Sequence, residues 1–279
     1  MGEATYDTFV QSGGHNTVVS GDLVVGDVTD TRGVYRQSGG TLVVVAGALD
    51  LGEEVNARSH FILNLPAHTA GGLQITAGTL IVGDHGTGEF DLRQGNLQAN
   101  LQVAVQKGSF ANVVLKTGTL TDAGGDEVIG AAEEGGFVQS GGTNTIAGNL
   151  IVWQAADGDG RYTLHNGSLT LTGGNEIIGD AGIGPFAKEG GTNTTDDMLI
   201  GKSGGTFGEY KLQGGTLTIH DAGLDTSALA VTGGAGAQSF LTITAGTVQT
   251  PVLRTDAGTV TDDGSILVAD SLEMATAAK

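Results

Sequence analysis

The chain has 279 residues, of which 39% are apolar, so it can bury a sizeable core. Fifty glycines against three prolines and 5% aromatics lie far outside ordinary globular usage, and the lack of a Gly-X-Y period excludes collagen. Twelve basic against 31 acidic residues give a formal charge of −19, which repels phosphate backbones and anionic membrane surfaces, so nucleic acid is not an expected partner.

There is no cysteine, so neither a disulfide framework nor a thiolate metal site is available. No apolar run approaches the roughly 20 residues that cross a bilayer, so membrane insertion is not expected. The start, Met1-Gly-Glu-Ala, lacks the basic and apolar regions of a secretory signal. If the protein is exported, the sequence is expected to be a mature form.

Taken in chain order, the first unit is "FVQSGGHNTVVSGDLVVG" at residues 9–26, and "FVQSGGTNTIAGNLIVW" at 137–153 nearly repeats it. The aromatics Phe9, Tyr35, Phe61, Phe90, Phe110, Phe137, Tyr162, Phe186, Tyr210 and Phe240 each open a similar stretch. Most of their steps share one length, that of a single repeat, while the step into Phe110 is shorter and those into Phe90 and Phe240 are longer. Two sub-types interleave, "FVQSGGTNT" and "YKLQGGTLT", and each unit closes on an apolar pair, a Gly and a polar connection, as in "LIVGDHGTG" and "EIIGDAGIG".

Alternation such as Thr216-Leu-Thr-Ile-His220 predicts a strand with Leu217 and Ile219 on one face. Short strands between Gly corners, recurring at a repeat of ~24 residues, predict an all-β solenoid of about ten coils, a right-handed parallel β-helix with two or three strands per coil. One coil cannot bury its own apolar face, and stacked coils can. Residues 1–279 read as one solenoid domain, with repeats over about 5–250 and an irregular last coil or C-terminal cap over 251–279.

The units "GGTNT…L.[IV]G" and "VG..G.G.[FY]" resemble the β-strand repeats of bacterial autotransporter passengers and of PEP-CTERM-type exported surface proteins. The resemblance spans nearly the whole chain and is one of repeat style. It implies a secreted, surface-attached or matrix role and brings no catalytic residues with it.

One register is unusually regular: Thr119 and Thr121, Thr143 and Thr145, Ser168 and Thr170, Thr192 and Thr194, Thr216 and Thr218 follow at offsets of 24, 25, 24 and 24. On stacked coils these hydroxyls form two outer columns, with the intervening Leu or Asn pointing inward. Such columns suit coil-to-coil stacking of good β-formers. The alternative is a hydroxyl array that organises water or ice, a face similar to that of some antifreeze proteins.

Trp153 occupies the corner slot that Gly26, Gly83, Gly130, Gly179 and Gly201 hold elsewhere. It is expected to pack over a locally widened core or against the following loop. Alternatively, it forms an exposed platform for a ligand or a neighbouring subunit. Asp157 and Asp159 in "DGDG" are candidate calcium ligands, set against a reading as solvated corner carboxylates. No other cofactor is expected. The histidines form no paired zinc motif, and the neighbours Asp196 and Asp197 point to opposite faces.

The expected role is therefore an extracellular or cell-surface structural solenoid, a rod or fibre subunit without catalysis. It would associate with itself end to end or with neighbouring subunits. The alternatives are a glycan-binding or glycan-cleaving β-helix, with polysaccharide as partner, and the ice-organising one. Against the glycan-cleaving enzyme, the sequence shows no cluster among its twelve basic residues.

Overall fold

Alternating side chains and glycine corners divide each coil into three short strands. In one coil these are Glu134–Gln139, Thr143–Ile146 and Leu150–Val152. The next coil repeats them as Asp159–Leu164, Ser168–Leu171 and Asn175–Ile178. Each strand lies parallel to its counterpart in the next coil, with Phe137 beside Tyr162, Asn144 beside Leu169 and Ile151 beside Ile177. The computed structural model describes residues 6–66, 72–122, 124–156, 159–203, 206–220, 228–232, 238–256, 258–263 and 266–274. They form a parallel β-solenoid of about 9 turns with no helix, the expected fold class.

The regular stacking runs past residue 250. Thr247–Thr255 pairs in parallel with Ile266–Met274, so described residues of the segment expected as an irregular coil or cap carry the same strand pattern.

The core is a set of columns parallel to the rod axis. The first-strand aromatics stack ring on ring: Tyr35–Phe61 at 4.6 Å, Phe61–Phe90 at 5.2 Å, Phe137–Tyr162 and Tyr162–Phe186 at 4.7 Å, and Phe186–Tyr210 at 4.8 Å. The parallel ladder, at ~4.8 Å between strands, sets this spacing. Each aromatic contact adds about 0.5–1.5 kcal/mol to the gain from burial.

Two aromatics of the sequence pattern stand outside this column. Phe110 pairs with Thr87 and Glu134 and is 42% exposed, while Val113 takes the inward slot between Phe90 and Phe137. Phe240 pairs with Glu209, and Leu241 follows Tyr210 inward. The short step from Phe90 to Phe110 and the long one from Tyr210 to Phe240 are thus register slips in the aromatic ruler.

The first corner needs glycine for a steric reason. The second Gly of each "GG" has positive φ and lies on the carbonyl of its counterpart below. A Cβ at Gly191 (φ +65) would come 2.3 Å from the oxygen of Gly167.

The two sub-types in the sequence have a structural cause. Tyr162 Oη donates to Gln139 Oε1 at 2.7 Å, and Gln139 Nε2 donates to the Ser168 carbonyl at 2.9 Å. The first units do the same: Tyr35 Oη donates to Gln11 Oε1 at 2.7 Å and Gln11 Nε2 to the Thr41 carbonyl at 3.0 Å. A Phe coil carrying Gln is thus followed by a Tyr coil that satisfies it. Replacing Tyr162 by Phe leaves the buried Gln139 oxygen without its donor and should cost about 1–3 kcal/mol, measured by denaturant unfolding.

Candidate functional site

The hydroxyl register forms as the offsets predict. Thr119, Thr143, Ser168, Thr192 and Thr216 are direct partners along one column, which continues to Thr247. Thr121, Thr145, Thr170, Thr194 and Thr218 form the second column. Between them, Leu120, Asn144, Leu169, Asn193 and Leu217 are buried. Some hydroxyls bond within the wall: Thr119 Oγ1 donates to Asn96 Oδ1 at 2.7 Å, and the Ser168 and Thr170 hydroxyls are 3.3 Å apart.

The inward asparagines belong to a buried polar file that the sequence reading did not assemble. Asn144 Nδ2 donates to both Glu127 oxygens at 3.2 and 3.0 Å, and it approaches Tyr162 Oη at 3.4 Å. Asn193 Nδ2 repeats this with Glu176 at 2.9 Å and Tyr210 Oη at 3.1 Å. In the coil of Asn193, Lys188 replaces Gln139 and donates to the carbonyls of Gly190 and Gly191 at 2.5 and 2.6 Å.

Burial pushes both glutamate carboxyls up to about 8, against the pull of their Asn donors, and it brings the Lys188 amine down to about 8. At pH 7 Glu127 and Glu176 are therefore mostly neutral inside the rod. A carboxyl with a raised folded pKa lends its full stability below its ordinary value near 4.5, and that stability is lost as pH rises towards 8. The melting temperature should accordingly fall between pH 5 and pH 8. The Glu127→Gln, Glu176→Gln double variant should show a flatter profile over that window in calorimetric scans.

Trp153 occupies the third-corner slot with φ 79, matching Gly26 at 80 and Gly179 at 76. Its amide donates to the Ile129 carbonyl at 2.8 Å, as that of Gly179 does to Val152 at 2.9 Å. The side chain is only 4% exposed, so it is not the exposed platform offered as one reading of its sequence position. Its indole Nε1 donates to the Ala155 carbonyl, and the ring lies over Gly182 in the next coil. Burying ~200 Å² of indole at roughly 25 cal/mol/Å² gives about 5 kcal/mol, which outweighs a left-handed backbone cost of about 1–2 kcal/mol.

A Cβ at Gly182 would lie 1.6 Å from the indole nitrogen. Gly182→Ala should therefore destabilise by about 1–3 kcal/mol. In a Trp153→Gly background the same change should be close to neutral, which a double-mutant cycle of thermal melts will read.

Of the candidate calcium ligands, Asp157 lies outside the described residues, and Asp159 is exposed at the start of its strand. Among the described residues, no group of three or more His, Asp or Glu side chains is placed to hold a metal ion. Several acidic groups instead cap the backbone of the following coil. Asp22 Oδ1 accepts from Ala48 N at 2.6 Å, Asp126 Oδ1 from Asn149 N at 2.8 Å and Asp197 Oδ1 from Ala228 N at 2.8 Å. Asp180, beside its corner glycine, pairs with Lys202 at 3.1 Å.

The structure also gathers basic residues that the sequence scatters. Arg32 and Arg58 are direct partners on neighbouring coils, and His60 lies beside them on the same face. The signal was that Arg58 follows Arg32 at the interval by which Phe61 follows Tyr35, which is one coil. No protein-family model matches the chain, and no curated protein or solved structure matches it either.

Proposed function

We propose that this chain is a structural β-solenoid of the cell surface or extracellular space, a rod or fibre subunit that acts by stacking and shape without catalysis. The observation that carries this reading is the unbroken parallel register together with its free strand edges. Tyr6–Val18 and Leu23–Val25 at one end, and Thr259–Asp262 and Ile266–Met274 at the other, each pair on one side only among the described residues.

The edges at the two ends face opposite ways along one axis. A second copy stacked head to tail would therefore extend the same parallel ladder, and a contact of that kind does not close on itself. Apolar side chains stand ready at the first coil, where Phe9 is 52% and Val10 60% exposed. The style of the repeats, similar to that of exported surface proteins, supports the location.

Sedimentation and negative-stain electron microscopy of the full chain provide the test. Elongated particles that lengthen with concentration are expected, and a strictly monomeric species at high concentration would overturn the assembly reading.

A further inference from the structure

A shallow groove of about 290 Å³ opens on the outer side of the first strand face near the N-terminal end. It is lined by Arg32, Arg58, Ser59, His60, Thr87 and Glu89. These residues come from three successive coils, with Arg32 paired to Arg58, Arg58 to Thr87 and His60 to Glu89. The two guanidinium groups thus project from neighbouring strands, one ladder step of ~4.8 Å apart at the backbone.

Both arginines are exposed, and neither forms an ion pair among the described residues, although the chain carries 31 acidic side chains. The Arg32 guanidinium lies over the Tyr6 ring, 5.4 Å from its centroid. Two like charges side by side repel one another, and a shared anion relieves that repulsion.

The rest of the lining narrows the anion's chemistry. Glu89 stands in the same groove, 3.7 Å from His60 Nδ1, and His60 Nε2 is 3.5 Å from Asp91. A carboxylate, an imidazole and the Thr87 hydroxyl suit neutral hydroxyl groups, and Glu89 would repel a ligand charged along its whole length. The chain's charge of −19 likewise disfavours nucleic acid.

We propose that this groove binds an acidic sugar unit. Its carboxylate or sulfate bridges Arg32 and Arg58, and its neutral hydroxyls meet Glu89, His60 and Thr87. The proposal goes beyond stacking and shape: the rod would carry a saccharide contact on its side, independent of its ends.

The test is calorimetric titration of the full chain with digalacturonate, a sulfated disaccharide, neutral lactose, inorganic sulfate and tetraglutamate. At least one acidic disaccharide should bind saturably and lactose should not; which one binds tells carboxylate from sulfate. Arg32→Ser with Arg58→Ser should weaken that binding at least about tenfold. Glu89→Ala should weaken the disaccharide and leave inorganic sulfate unweakened. Arg161→Ser, exposed on the same face but outside the groove, should change nothing. The substituted groove arginines are exposed, so an unchanged melting temperature will show that the double variant is folded. The proposal fails if neither acidic disaccharide binds, if binding survives loss of both arginines, or if tetraglutamate binds as tightly, which would assign the groove to acidic peptides.

Discussion

The parallel ladder from coil to coil is the constraint on which the rest depends. Each residue sits directly on its counterpart one coil earlier, so a side chain's main neighbour is its own kind one full repeat back along the chain. Apolar columns satisfy this readily, as the Phe and Tyr rings at 4.6–5.2 Å do. Corners satisfy it only with residues that allow one backbone to lie on another, which is why glycine collects there. The composition of the chain follows from that single geometric demand.

Polar groups inside such a rod must find partners along the axis or in the coils on either side. Gln139, Asn144 and Glu127 come from different strands of neighbouring coils and meet Tyr162 in the core. Buried carboxyls that stay neutral at pH 7 are compatible with this interior because an amide faces each of them. Lys188 shows the same slot in a different chemistry, its amine taken up by corner carbonyls.

Features that repeat at constant spacing were legible in the sequence. The Thr columns and the inward Leu or Asn between them required only a steady one-coil offset and strand alternation. Phe110 and Phe240 misled because an aromatic is a poor ruler wherever Val113 or Leu241 can fill the core slot equally well. For Trp153 the sequence located the slot but not the ring's direction, since nothing local reveals that Gly182 leaves room for it in the next coil. The Arg32–Arg58 pair was hidden because charge clusters are normally sought among residues close in sequence, whereas here a separation of one coil means adjacency.

The Tyr-to-Gln and Asn-to-Glu bonds join coils that are not alike, so through the central part of the rod a single coil is not an interchangeable module. Glu127 and Glu176 are separated by two coils, as are Asn144 and Asn193, and both intervals are the same (176 − 127 = 193 − 144). Loss or duplication of one coil would set Tyr against Tyr or leave a buried glutamate facing leucine, whereas a change of two coils preserves every partner. The length of this region can therefore drift during evolution in pairs of coils, and its genetic unit of growth is about twice its visible structural repeat.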